Sequence, residues 1–174
     1  MKKFDIKRII GFVVGVVIVV AVLFITDGKA EKELMGTWAY AYTTEYAEDL
    51  DVELTEYFEV TEGRYRWYMD REETKASLLK AYDEYFKSEE ITEEDVINSG
   101  YKSIEDCKAQ WLEEDLKNIV DDFNEDAGAG TWQINQGTFL FIEDGTSREY
   151  KTEYRIDDNT LYLQTDGLIL TKVK

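Results

Sequence analysis

The sequence predicts a mainly β fold with a helical insertion, an α+β chain carried behind one N-terminal transmembrane helix. Three observations predict it: an uncharged apolar run near the N-terminus, about eight short segments that alternate with period two, and a stretch of roughly fifty-five residues with helical period after the third of them.

The apolar run comes first. From Ile9 to Ile25 the chain reads IIGFVVGVVIVVAVLFI without a charge, and as a helix rising about 1.5 Å per residue it spans roughly 26 Å. That is close to the thickness of a bilayer's hydrocarbon core, about 30 Å. Lys2, Lys3, Lys7 and Arg8 precede the run and acidic residues dominate after it. The positive-inside rule therefore places the N-terminus in the cytoplasm and the rest of the chain outside. The following ITDGKAEKE offers no A-x-A pattern, so the run reads as an uncleaved signal anchor. Gly11 and Gly15 form a G-x-x-x-G that would let two such helices approach closely, although small residues are common in membrane helices anyway. The division that follows is 1–26 for the basic tip and membrane helix, 27–35 for a short linker, and 36–174 for the outer domain.

The outer domain opens on strands. In GTWAYAYT, Trp38, Tyr40 and Tyr42 alternate with small or polar residues; Val52, Leu54, Phe58 and Val60 continue the alternation. Glu62-Gly63 turns the chain, and Tyr65, Trp67 and Met69 alternate again, completing a hairpin. From about 71 to 126 the period becomes helical, with Leu78, Leu79, Tyr82, Tyr85 and Phe86 on one side. Thr92 before EEDV and Ser103 before IEDC each have an acid three positions on, the pattern of a capping box, so about three helices are expected. The last is expected to carry Ile104, Cys107, Trp111, Leu112, Ile119, Val120 and Phe123 along one side, as core packing or as a partner-binding face. A flexible AGAG at Ala127 to Gly130 then leads back to period two through TWQIN, TFLFIE, REYKTEYRI, TLYLQT and LILTKV. Turns at Asp144-Gly145, Asp157-Asp158-Asn159 and Asp166-Gly167 separate the last of these strands. Short turns between consecutive strands make an up-and-down meander, and about eight strands can close into a barrel without edges.

Composition limits function. The formal net charge is −18, which repels phosphates and argues against nucleic acid as a partner, while it concentrates cations and basic partners. Histidine and proline are absent, so the commonest general base and neutral metal ligand are missing, as is any Ser-His-Asp arrangement. Asp122-x-Asn124-x-Asp126 copies the start of a calcium loop, but Ala127 stands where glycine is required and Gln133 where a bidentate Glu belongs. Cys107, the single cysteine, lies on the apolar side of its helix and reads as a small buried hydrophobe. These features point away from an enzyme, a cofactor or a metal site.

GTW at Gly36 to Trp38, the meander, and the closing YRIDDNTLYLQTDGLILTKV resemble the lipocalin-like domains of small secreted or membrane-attached bacterial proteins. The resemblance covers about eighty residues in two blocks and implies that Trp38 packs across one end of a barrel. A second GTW begins at Gly130. The resemblance also implies a ligand-binding interior, for which Trp38, Tyr40, Tyr42, Trp67, Phe139, Phe141 and Tyr154 are the candidates; the same residues are bulky enough to fill the barrel instead. The expected function is a membrane-tethered, extracytoplasmic binding module for a small apolar ligand or a cell-envelope component. The alternative is an accessory subunit that docks a protein partner through its acidic helical insert.

Overall fold

The computed structural model describes residues 28–47, 50–135, 137–146 and 148–174. The membrane anchor expected over Ile9 to Ile25, with the topology drawn from it, lies outside these residues. Among the described residues no helix is long and apolar enough to cross a membrane.

Eight strands form a closed antiparallel barrel in sequence order, β1 (Gly36–Ala47), β2 (Leu50–Thr61), β3 (Arg64–Met69), β4 (Ala129–Asn135), β5 (Thr138–Glu143), β6 (Glu149–Asp157), β7 (Thr160–Leu163) and β8 (Leu168–Lys172). Closure comes where Trp38 and Ala39 of β1 pair with Lys172 and Thr171 of β8. The eight-stranded up-and-down barrel, interrupted after β3 by a helical insertion, is the one expected. Each neighbouring pair is antiparallel, so the start of β1, the β2–β3, β4–β5 and β6–β7 turns and the C-terminus share one end, called lower here. The insert and the β1–β2, β5–β6 and β7–β8 turns share the upper end.

The period-two pattern sets which side chains face inward, and the register aligns them across strands. Trp38 lies opposite Phe58, Phe58 opposite Trp67, Trp132 opposite Phe141, and Leu161 opposite Leu170. These residues, with Val60, Tyr65, Phe139 and Leu163, make the barrel core. The lower end is sealed. Trp38 has no exposed surface, and its Nε1 donates to the Leu34 carbonyl at 2.8 Å. Residues 28–34, which carry Leu34, are helical. Lys172 Nζ sits 4.9 Å from the Trp38 ring centroid and donates to the Glu33 carbonyl at 2.9 Å. Gly36 admits no side chain, because a Cβ there would lie 2.3 Å from the Lys174 carbonyl oxygen.

The insert builds a second core on the same hairpin. Its first helix, Arg71–Ser88, starts where the Asp70 carboxylate accepts from the backbone amides of Glu72 and Glu73. Glu93–Asn98 follows with the expected Thr92–Asp95 capping box. Ile104–Leu116 is capped by Ser103, but Asp106 reaches back to the amide of Lys102 rather than to that of Ser103. The expected continuous last helix is broken: Lys117–Asp121 is a π turn, and a short helix, Asp122–Asp126, completes it. The extra residue in that turn rotates the stripe, so that Leu116 and Val120 are buried while Ile119 and Phe123 are only partly so. Val52 and Leu54, the upper inward residues of β2, pack against Leu78, Tyr82, Leu116 and Val120. One face of β2 thus serves the barrel below and the helices above. Tyr82, fully buried, donates its hydroxyl to the Asp115 carboxylate and ties the first insert helix to the third.

The AGAG segment departs from the flexible linker expected. Ala129 and Gly130 already belong to β4, and the Gly128 carbonyl accepts from the Trp67 amide at 3.0 Å. Backbone pairing carries the sheet across the insert, and Asn124 extends it: its side-chain amide bonds both the N–H and the C=O of Met69, at 2.7 and 3.1 Å.

Candidate functional site

The interior of the barrel is packed with rings from its lower end to its middle. Phe139 and Phe141 have centroids 4.1 Å apart, Phe58 stacks on Trp67 at 4.5 Å, and Trp132 meets Phe139 edge-on at 5.3 Å. Trp132 Nε1 donates to the Thr61 carbonyl at 2.8 Å, so both GTW tryptophans satisfy their indole N–H on backbone. Above these rings, at the upper end, the interior opens.

There a cleft of about 340 Å³ opens between β3, the end of the insert, and the β5–β6 and β7–β8 turns. Tyr65, Trp67, Phe141 and Leu163 form its floor and walls, with Thr152 beside them. Asp126, Glu143 and Asp166 stand on its rim with Tyr150, Lys151 and Thr165. The floor is built by register. Tyr65 lies opposite Gly130, and Gly130 opposite Glu143, so an inward-facing tyrosine and an inward-facing carboxylate flank a glycine on one row. That glycine is forced, because a Cβ at Gly130 would lie 2.0 Å from the Ile142 carbonyl oxygen. Gly128 differs. A Cβ there would meet the Tyr65 hydroxyl at 3.6 Å and Glu143 Oε1 at 4.0 Å, ordinary contacts. The absence of a side chain at Gly128 keeps the cleft open above those two oxygens.

Burial, then the nearby Glu143 and Asp144 carboxylates, pushes the Tyr65 hydroxyl above the usual tyrosine range, so it stays protonated at physiological pH. Glu143 Oε2 accepts from the Thr146 hydroxyl at 3.2 Å. Asp144 is bound by both terminal nitrogens of Arg64, which holds its carboxyl below the usual range.

Of the seven residues predicted to bind a ligand, the structure brings two, Trp67 and Phe141, to the lining of this cleft. Trp38 and Phe139 are fully buried in the barrel core, and Tyr154 packs against that core. Tyr40 and Tyr42 stack at 5.3 Å higher on β1, beside a second inward-facing carboxylate, Glu56. Burial raises the Glu56 pKa, partly offset by its hydrogen bond with Tyr42, while burial and the same carboxylate push Tyr42 up to about 12. Tyr65, Gly128 and Glu143 also line the cleft and were not among the predicted residues. The signal for two of them was legible: Tyr65 shares the alternation of Trp67, and Glu143 that of Phe139 and Phe141.

The insert carries a second cleft, about 480 Å³, lined by Phe86, Ile91, Val96, Cys107 and Trp111 among others. Ile97 on the adjoining helix is 52% exposed. Cys107 is buried as expected, and burial raises its thiol pKa, which leaves it a poor nucleophile. Asn124, the middle residue of the calcium-like D-x-N-x-D, uses its side chain on Met69.

Comparison with known proteins finds no matching family model, no matching curated protein and no matching solved structure.

Proposed function

We propose that this chain is a membrane-tethered, extracytoplasmic, non-enzymatic binding module that takes a small ligand with an apolar body, or a cell-envelope component, at the open end of its barrel. The observation that carries this reading is the asymmetry of the barrel. One end is sealed by Trp38 and Leu34, while the other presents Trp67, Phe141 and Leu163 to a cleft of about 340 Å³. That volume sits at the lower limit of small-molecule sites, which run from about 300 to 1,000 Å³. It suits a short ligand, or the terminal part of a longer one, rather than a molecule swallowed whole.

Native mass spectrometry of the full chain, solubilised from its own host, tests the reading. A retained small apolar adduct that is lost in Gly128→Leu is the expected result; a bare protein, or an adduct indifferent to that substitution, counts against it.

The second reading is an accessory subunit that docks a protein through the insert. The apolar cleft between Phe86, Val96 and Trp111, with Ile97 exposed beside it, supports it. Cross-linking in host membranes separates the two: a protein partner captured through Ile97→Cys and lost in Phe86→Ala would move the function to the insert.

A further inference from the structure

The chemistry of the barrel mouth specifies more than an apolar ligand. Tyr65 is only 6% exposed, and its hydroxyl, without a hydrogen-bond partner among the described residues, keeps its access to water through the cleft. It opens onto the cleft beside Gly128, where Glu143 Oε1 also converges. A hydroxyl hydrated from the cleft loses that water when a ligand enters, at a cost unless the ligand pairs with it. The rim adds Asp126 and Asp166, neither of which has an ion-pair partner among the described residues, whereas the remaining cation on the lining, Lys151, sits 3.6 Å from Glu149. Aromatic faces from Tyr65, Trp67 and Phe141 complete the walls.

Carboxylates and an oxygen acceptor over aromatic faces are the surroundings that stabilise an organic cation. An anion is repelled by the rim, and a purely apolar ligand displaces water from the Tyr65 hydroxyl and Glu143 Oε1 without supplying a donor in its place. A bare metal ion would find aromatic walls where it needs several oxygens. We propose that the open end of the barrel binds a protonated amine carried on a short apolar or aromatic body, its N–H groups donating to the Tyr65 hydroxyl and the Glu143 carboxylate while the body lies against Trp67 and Phe141. This rests on reading the cleft as the ligand site and names the ligand's class. The amine is a free one; an amine next to a phosphate, as in a phospholipid headgroup, brings negative charge against Asp126 and Asp166.

Isothermal titration of the full chain in non-ionic detergent tests it with four probes: phenethylammonium, the neutral phenethyl alcohol, phenylacetate and phosphoethanolamine. Phenethylammonium is expected to bind at least about tenfold more tightly than the alcohol, the scale of a charge-assisted hydrogen bond. Phenylacetate and phosphoethanolamine are expected to bind weakest. Glu143→Gln should bring the amine down to the level of the alcohol without weakening the alcohol itself, and Gly128→Leu should abolish both while the circular dichroism spectrum is kept. Equal affinity for alcohol and amine would leave the cleft as a ligand site and overturn the cation. No binding of either would overturn both readings. Amine binding that survives Gly128→Leu would be attraction to the chain's net charge of −18 and would overturn the inference. Calcium displacing the amine stoichiometrically would reassign the carboxylates to a metal, and phosphoethanolamine matching phenethylammonium would overturn the free amine.

Discussion

The two ends of the barrel are built from the same alternating pattern and finish differently. At the lower end the inward row closes on Trp38, with Leu34 beneath it and the Lys172 ammonium across its ring. At the upper end the inward row runs Tyr65, Gly130, Glu143, and the chain above it at Gly128 again lacks a side chain. One end spends its largest side chain on filling space; the other withholds side chains at two positions and leaves oxygens facing the gap. A small barrel can be full and still carry a site, provided the site is confined to one mouth.

The comparison can be broken most severely at the closed end. Trp38→Ala removes a fully buried indole and its hydrogen bond to Leu34, and the expected loss is about 3 to 5 kcal/mol of unfolding free energy. Denaturant unfolding of the full chain monitored by far-ultraviolet circular dichroism reads it. A loss below about 1 kcal/mol would mean that the seal does not contribute to stability, since that is no more than an average substitution costs.

Next in size is the contrast between two glycines two residues apart. Gly130→Ala drives a Cβ to 2.0 Å from the Ile142 carbonyl oxygen, so β4 and β5 must part, at about 1 to 3 kcal/mol by analogy with overpacking. Gly128→Ala makes only ordinary contacts and is expected to change stability by no more than about 0.5 kcal/mol. Thermal melts of the two variants side by side decide it, and equal losses would remove the distinction between a glycine required by packing and one that leaves room.

The smallest effect sharpens the comparison inside the wall. Glu56 faces inward between the two cores, and burial holds its carboxyl above the usual range. The folded state therefore keeps its proton to higher pH than the unfolded chain. The stability linked to that proton is fully present below the unfolded value, about 4.3 to 4.5, and is lost as pH rises through the folded one. Glu56→Gln keeps an acceptor for Tyr42 without the charge. Its melting temperature should exceed that of the parent at pH 7, and the gain should shrink towards pH 4. A variant less stable at pH 7 would show that the carboxylate form is the one the fold favours.

Much of this architecture could be read from the residues. Period two is a local property, and it assigned Trp38, Phe58, Val60 and Trp67 to one side of their strands without any tertiary information. The capping residues Thr92 and Ser103 marked helix starts for the same reason, since a cap acts within three or four residues. The site was less legible. Alternation says that a ring faces inward but not how high in the barrel it lies. Phe139 and Phe141 therefore looked alike, although one is sealed in the core and the other lines the cleft.

By itself, then, the sequence determined the β-meander with its helical interruption, the inward faces, the turns and the acidic balance, because each follows from local backbone geometry or from composition. Only the tertiary structure decided which mouth closes, that AGAG is partly strand, that a π turn breaks the last helix, and that Tyr65 and Glu143 converge beside Gly128. Those depend on strand register and on distances between residues up to a hundred and more positions apart, and Trp38 beside Lys172 is the clearest case. Local patterning carries no information about such distances until the barrel closes.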